Sequence, residues 1–492
     1  MTHTITVLPH NFIFSVPHGA NLLEVLTQNG FFIPAACGGR GNCGKCAVKC
    51  RSAETDEYQT LLSCHTSITS DLTVLLDADS QSGLWEVSSL SSCASREAGM
   101  ILDVGTTTLA ACLIDKKTGE MLAKASSLNP QGSFGADVIS RITTFAEGKG
   151  EAMRASVIDA TNHLIAEFSR TGAQIDEVVV VGNPTMLHLL IGVDPTGIGS
   201  YPFTPAFTES KYFDGTEIGI GAPHVRLLPS ISAYLGADVS AGILACEMHK
   251  TNETQLFIDL GTNGEIVLSH DKKLFAASTA AGPALEGANM SCGMGGVSGA
   301  IDRVWNENDH LRFTTVEGAP ARGICGSGYI DLFALLLDEG ILDETGAFAE
   351  ECDSPLFSRL EDDRFYLTPE IYLSQDDVRQ FQLAKAAIAA GIEALTAHCG
   401  VKMSEITRVF LAGGLGYYMS PTNAARTGLL APTLLTHTQI VGNTALAGAR
   451  LCFLEEKKQA DIDVLCTNTE TVELSFSPVF SQAYIENMGF ET

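Results

Sequence analysis

The sequence predicts a mixed α/β (α+β) chain in two parts: a small β-grasp unit at the N-terminus, then a much larger, internally duplicated two-lobed α/β unit. Three observations predict it. Two short strand-like segments and one amphipathic helix open the chain. A cysteine–glycine loop, ACGGRGNCGKCAVKC at residues 36–50, follows at once. A strand–DxGT–strand design then occurs twice, as MILDVGTTTLAACLID (100–115) and LFIDLGTNGEIVLS (256–269).

Length and composition bound the answer. A chain of 492 residues is long for one core and predicts several domains. Its 45% hydrophobic and 18% charged residues are those of a folded globular protein. The net charge of −28 argues against non-specific binding to nucleic acid or to an anionic membrane surface. The N-terminal MTHTITVLPHNFIFSV alternates like a strand and has no basic n-region, so no secretory signal is expected. No apolar run reaches the ~18 residues of a membrane span. Of 14 cysteines, one group lies between Cys37 and Cys93 and the rest are scattered singly. That usage fits reduced thiols in the cytoplasm, with one cluster that does chemistry.

In the β-grasp unit, HTITVL and FIFSV read as strands joined by a tight turn at Pro9, His10 and Asn11. ANLLEVLTQNG has helical apolar spacing at Leu22, Leu23, Val25 and Leu26, and Gly30 stops it. The cysteines Cys37, Cys43 and Cys46 then follow as C-x5-C-x2-C, with Cys64 in LLSCHT as the candidate fourth ligand. A [2Fe–2S] cluster needs four thiolates and a chain that wraps closely, which Gly38, Gly39, Gly41 and Gly44 allow. The spacing is one residue longer in its first gap than the plant-type pattern. A structural zinc site would pair its cysteines as two knuckles, and only one such pair is present. Cys50 is expected just past the loop on the next strand, and is the alternative fourth ligand.

Residues 79–98, rich in serine and without periodicity, predict a flexible linker between a ferredoxin-like domain at 1–78 and an ATPase domain at 99–492 whose second lobe starts near 255. Such a tether would span about 25 Å on average. In each DxGT hairpin, backbone N–H groups at Gly105 and Gly261, with Thr106, Thr107, Thr108, Thr262, Asn263 and Gly264, can cradle the β- and γ-phosphates of ATP. Asp103 and Asp259 would face Mg²⁺ through water, as hard oxygen donors. One DxGT turn alone is as readily a plain hairpin; two at the heads of two halves are far more specific. VVVVGNPTM (178–186) and VFLAGGLG (409–416) each run a buried strand into glycine, and Gly413, Gly414 and Gly416 would allow close approach to the adenosine. AGPALEGANMSCGMGG (281–296) and GICGSGYIDL (323–332) are glycine-rich enough to line a cleft, although for each alone packing is the better explanation. LAKAAIAAGIEALTAHCG (383–400) reads as a helix stopped by Gly400.

Taken in order, DVGTTT, VVGNPTMLHLLIGVDP, IDLGTNGEIV, GPALEGANMSCGM, RGICGSGYIDL, AKAAIAAGIEAL, LAGGLG and VGNTALAGA resemble the reductive activators of corrinoid enzymes. The resemblance runs from CGGRGNCGKC through nearly the whole chain. It implies a [2Fe–2S] ferredoxin domain fused to an ATPase domain of the acetate and sugar kinase/Hsp70/actin superfamily. Two departures stand out. Larger members carry a middle domain between linker and ATPase, and here Met100 begins the ATPase soon after the linker. That leaves a homodimer, and the partner contacts associated with that domain, open. Extra C-terminal iron–sulfur cysteines of some relatives are missing, since Cys452 and Cys466 stand singly.

What the resemblance implies is an ATP-driven one-electron reductase that returns a Co(II) corrinoid protein of a methyltransferase system to Co(I), fed by a low-potential electron donor. A cluster near the plant-type value of about −400 mV cannot do this downhill. At ~59 mV per 1.4 kcal/mol for one electron, a gap of roughly 150 mV costs ~3.5 kcal/mol, which ATP can supply by favouring the complex in which cobalt is easier to reduce. Two other classes remain: a small-metabolite kinase carrying a ferredoxin passenger, which needs an aspartate general base that no motif singles out, and a redox-sensing ATP clamp.

Overall fold

The structure, a computed structural model, describes residues 2–9, 11–35, 37–41, 43–52, 55, 57–76, 86–88, 96–287, 289–413 and 419–490. They fall into two compact units, Met1–Ala237 with Cys452–Glu455, and Asp238–Leu451 with Glu456–Thr492.

The first unit opens with a five-stranded sheet. The strands Thr2–Leu8 and Phe12–Pro17 pair antiparallel, as their alternation predicts, and Asn11 takes the left-handed conformation in the turn between them. Leu72–Leu75 pairs parallel to Thr2–Leu8 and antiparallel to Ala47–Ser52, and Gln59–Leu62 closes the edge. The helix Leu22–Gln28 begins where the Asn21 side chain accepts from the Glu24 N–H, and it buries Leu22, Leu23, Val25 and Leu26 against the sheet's apolar face. Each such buried side chain contributes about 1.5–3 kcal/mol. This is the expected β-grasp, and its helix and strand ends present the cysteine loop.

Each unit then carries one large sheet, and the two share a plan. In the first unit, Glu97–Val104 forms an antiparallel meander with Thr108–Asp115 and Met121–Leu128. Its other edge takes Gln174–Gly182 in parallel, which in turn takes His224–Leu227 in parallel. In the second unit, Gln255–Leu260 forms the meander with Gly264–His270 and Lys273–Thr279, and the parallel strands are Arg408–Ala412 and Thr438–Gly442. The expected duplication is therefore a repeated strand order. The central strands are buried on both faces, which is why they read as unbroken apolar runs.

The two parallel strands end in equivalent glycines. A Cβ on Gly182 would lie 2.6 Å from the Val104 carbonyl oxygen, and one on Gly413 would lie 2.6 Å from both the Asp259 carboxylate and the Leu260 carbonyl oxygen. Only a bare Cα lets the strand end press on the DxGT turn beside it.

Two differences from the sequence reading have physical causes. The stretch 79–98 is not wholly linker: Glu86–Ser88 pairs antiparallel with Met121–Leu128, and Glu97 already belongs to the central strand. Met121–Leu128 would otherwise present an open edge, and covering it outweighs the weak local propensity. Residues 79–85 and 89–95 lie outside the described residues. The helix expected over 383–400 begins at Gln375, because Ser374 and Asp377 form a reciprocal capping box ahead of the apolar pattern.

Gly182→Ala should destabilise the first unit by about 2–4 kcal/mol, since the colliding atom is backbone. Gly400→Ala, also at positive φ but with no neighbour within 4 Å, should cost only about 1 kcal/mol. Calorimetric melting of both variants against wild type checks the ordering; equal shifts would show that the glycine–turn contact is not tight.

Candidate functional site

The cysteine loop is assembled from two places. Cys37, Cys43 and Cys46 lie between the helix and Ala47–Ser52, while Cys64 comes from the short 3-10 turn Ser63–His65. Cys46 Sγ and Cys64 Sγ are 3.2 Å apart. Burial pushes the Cys64 thiol up to about 11, and the neighbouring Cys46, Cys37 and Cys43 push in the same direction. All four expected ligands therefore share one neighbourhood. Four thiols are the donor set of a [2Fe–2S] cluster, although among the described residues no group of three ligating side chains is arranged to hold a metal ion. The loop wraps with Gly38, Gly39, Gly41 and Gly44 all at positive φ, as the spacing demands. Cys64 is anchored by Asn21, whose Nδ2 donates to its carbonyl at 2.8 Å, and Cys46 by Ser63, whose N–H and Oγ–H donate to its carbonyl at 3.0 and 2.9 Å.

Cys50 is different. It lies on Ala47–Ser52, 2% exposed, on the same face as Val48 and paired with Val74. Burial alone raises it to about 11. It is a core thiol.

In the first unit Asp103 ends the central strand, half-buried, opposite Ala110 and Val181. The turn after it is held by its carbonyls. Asn129 Nδ2 donates to the Gly105 oxygen at 2.7 Å, the Asn129 N–H to the Thr107 oxygen at 2.8 Å, and Arg141 Nη2 to the Thr106 oxygen at 2.5 Å. In a trans peptide the N–H points opposite to the C=O, so these three bonds fix the orientation of the peptides that form the turn. Arg141 is 1% exposed, and its Nε also donates to the Gly135 oxygen at 3.0 Å. Thr108 is exposed at the head of the next strand.

In the second unit Asp259 occupies the corresponding place, opposite Glu265 and Ala412. Thr262 Oγ1 donates to Glu286 Oε2 at 2.6 Å, and the Gly261 N–H donates to the Asn263 oxygen at 3.1 Å. Glu265 is buried; burial first, then Asp238 and Asp259, hold its pKa well above the usual carboxylate range. Burial raises Asp238 to about 6. Asp238 and Asp259 both act electrostatically on Glu265, but among the described residues no group of three ligating side chains is arranged to hold a metal ion. Gly264 serves otherwise than expected: a Cβ there would lie 1.9 Å from Ile388 Cδ1 of Gln375–His398, so its bare face is required by helix packing. Gly413 faces the Asp259 turn, and Gly414 and Gly416 lie outside the described residues.

Sequence reasoning missed Asn129, Arg141, Asp238, Glu265 and Glu286. Glu265 carried a signal, a carboxylate opening the apolar run EIVLS, and Glu286 lies inside a quoted glycine-rich motif. Nothing local marks Arg141, whose role exists only once its helix packs under the turn.

The fold and these sites define a ferredoxin-type module joined to an ASKHA-type ATPase. Models of known protein families divide the chain accordingly. A 2Fe-2S iron-sulfur cluster binding domain matches residues 5–69, the RACo middle region matches 98–251, and the C-terminal domain of RACo, the ASKHA domain, matches 253–492. The chain is 34% identical over 417 residues to the corrinoid activation enzyme RamQ of Eubacterium limosum, covering 80% of this chain and 70% of that protein. It is 26% identical over 441 residues to the [Co(II) methylated amine-specific corrinoid protein] reductase of Methanosarcina barkeri, covering 80% and 77%. A solved reductive activator for corrinoid, iron-sulfur protein superposes with a TM-score of 0.75 at 28% identity, covering 99% of this chain and 98% of that one. The chain belongs to the RACo family. The middle domain expected to be missing is therefore present: it is the region 98–251, which reads as the first ATPase lobe because it carries the same sheet plan as the second.

Cys64→Ser should remove the visible spectrum and the iron, about two per chain when purified anaerobically, while Cys50→Ser should retain both. The reverse pattern would move the fourth ligand to Cys50. Glu265→Gln should raise the melting temperature by a few degrees at pH 7.5 without nucleotide or Mg²⁺. The sign follows from the raised carboxyl pKa. Protonated Glu265 favours the folded state, so its contribution is complete below the ordinary value near 4.5 and is lost as pH rises through the higher folded one. The gain should vanish near pH 4, and a gain independent of pH would contradict the burial argument.

Proposed function

We propose that this chain is an ATP-dependent reductive activator that passes one electron from its [2Fe–2S] cluster to a Co(II) corrinoid protein, regenerating Co(I) for methyl transfer. The observation that carries the reading is the joining, in one chain, of a four-thiol loop to two DxGT turns of one design, in a family whose named relatives are corrinoid activators and reductases. Cys37, Cys43, Cys46 and Cys64 hold the cluster, which supplies a one-electron carrier of low potential. When bound there, the cluster would supply the single electron that takes Co(II) to Co(I), and an external low-potential donor would replace it.

Within each unit taken by itself, Asp103 or Asp259 would face Mg²⁺, and the turn after it would offer phosphate contacts. These come from Gly105, Thr106, Thr107 and Thr108 in the first, and from Gly261, Thr262 and Asn263 in the second, where the Gly261 N–H already donates to the Asn263 oxygen. Glu286 fixes the Thr262 hydroxyl by accepting its hydrogen bond. We place the protein in the cytoplasm, on its reduced-thiol usage and on the finding that no described helix is long and apolar enough to cross a membrane.

In a Co(II) corrinoid protein mixed with a low-potential reductant, ATP·Mg²⁺ should speed the appearance of Co(I) absorbance at least tenfold, about 1.4 kcal/mol of barrier. Asp259→Ala should lose that acceleration and keep the cluster spectrum. Equal rates with and without ATP in wild type would sink the mechanism.

A further inference from the structure

One stretch of the first unit, residues 129–149, touches both the DVGTTT turn and the cysteine loop. On the turn side, Asn129 holds the Gly105 and Thr107 carbonyls, and Arg141, on the helix Val138–Thr144, holds that of Thr106. On the loop side, a Cβ added to Gly38 would lie 2.7 Å from Thr144 Oγ1 and 2.8 Å from the Phe134 carbonyl oxygen. Thr144 Oγ1 itself donates to that oxygen at 2.8 Å. Beyond Thr144 the chain widens into a π turn, Phe145–Lys149, with Gly148 at φ 90. From this turn Glu147 Oε1 accepts from Arg40 Nη2 at 2.8 Å and Lys149 Nζ donates to Glu24 Oε1 at 3.0 Å. Arg40 Nη1 also donates to the Cys37 carbonyl at 3.2 Å, so the ion pair reaches the backbone of an expected cluster ligand.

We infer that Arg141 is a positioning residue that couples the nucleotide turn to the cluster loop, with the Arg40–Glu147 pair as the contact through which the loop responds. The inference rests on the reading of DVGTTT as a phosphate turn. Arg141 and Thr144 are three positions apart on one helix, so a displacement of the Thr106 peptide that Arg141 follows must move Thr144 as well. The Gly38 contact is too close to absorb such a movement, and the π turn is a local irregularity of the kind that marks functional segments. Coupling between two binding events is reciprocal: if nucleotide alters the docking of the loop, weakened docking must alter nucleotide affinity by the same factor.

The test uses the full chain with its cluster, reading the visible circular dichroism of the cluster and the Kd for ATP·Mg²⁺ by calorimetry. In wild type, ATP should change the cluster spectrum. Arg40→Glu and Glu147→Arg, both at partly exposed positions, should each shift the Kd about fivefold and blunt the spectral response, and the double reversal should restore both. Arg141→Lys should bind ATP with the cluster intact and show no spectral response. If that variant fails to fold, the charge reversals carry the test alone. Three results overturn the inference: an unresponsive cluster with ATP bound to wild type, singles without effect on Kd, or singles that the double does not repair. Each leaves the phosphate-turn reading standing. A wild type that does not bind ATP would remove that reading and this inference together.

Discussion

The large fold depends on one close approach made twice. At the end of a parallel strand a glycine presses its bare Cα onto the turn of the neighbouring central strand, Gly182 onto Val104 and Gly413 onto the Asp259 turn. The contact places an acidic residue and the peptide groups that follow it at the end of each central strand. An anion cradle needs that geometry and very little else. Around it, apolar strands buried on both faces leave the turn no freedom to relax.

The two units brace this shared turn in opposite ways. In the first, the buried guanidinium of Arg141 draws the Thr106 carbonyl inward; a buried cation tolerates such a position because carbonyl oxygens satisfy it. In the second, carboxyl groups surround the turn. Glu286 holds Thr262, and Glu265 lies across from Asp259 with Asp238 near enough to raise its pKa. Mutual repulsion among buried carboxylates is relieved by protonation or by a divalent cation. Duplication therefore preserved the backbone device and let the charge around it diverge.

The ferredoxin module is not merely strung on a tether. Within the first unit its loop meets the stretch 129–149 through Gly38, Arg40 and Glu24, and the Phe32 ring lies where a side chain on Gly132 would need to go. Exposed ion pairs of this kind contribute little singly, roughly 0–1 kcal/mol each, so the docking they support can be reversed while the covalent connection keeps the module at hand. A carrier that must meet both a donor and an acceptor has use for that balance.

What the sequence by itself determined is what local periodicity and spacing encode. The β-grasp strands and helix, the four-cysteine loop with its glycines, and the pair of strand–DxGT–strand hairpins all follow from residues close together in the chain. Cys50 lies just past the loop on the next strand, where its position in the sequence puts it. Tertiary structure alone decided the rest, because each remaining feature depends on residues far apart in sequence. Arg141 braces Thr106 from a separate helix, and Asp238 meets Glu265 only after a strand returns antiparallel. Gly264 is read locally as a phosphate glycine, and only the packing of a helix more than a hundred residues away reveals why a side chain there is excluded. The serine-rich stretch 79–98 misled for the same reason: an open strand edge elsewhere, not its own composition, recruits Glu86–Ser88 into the sheet.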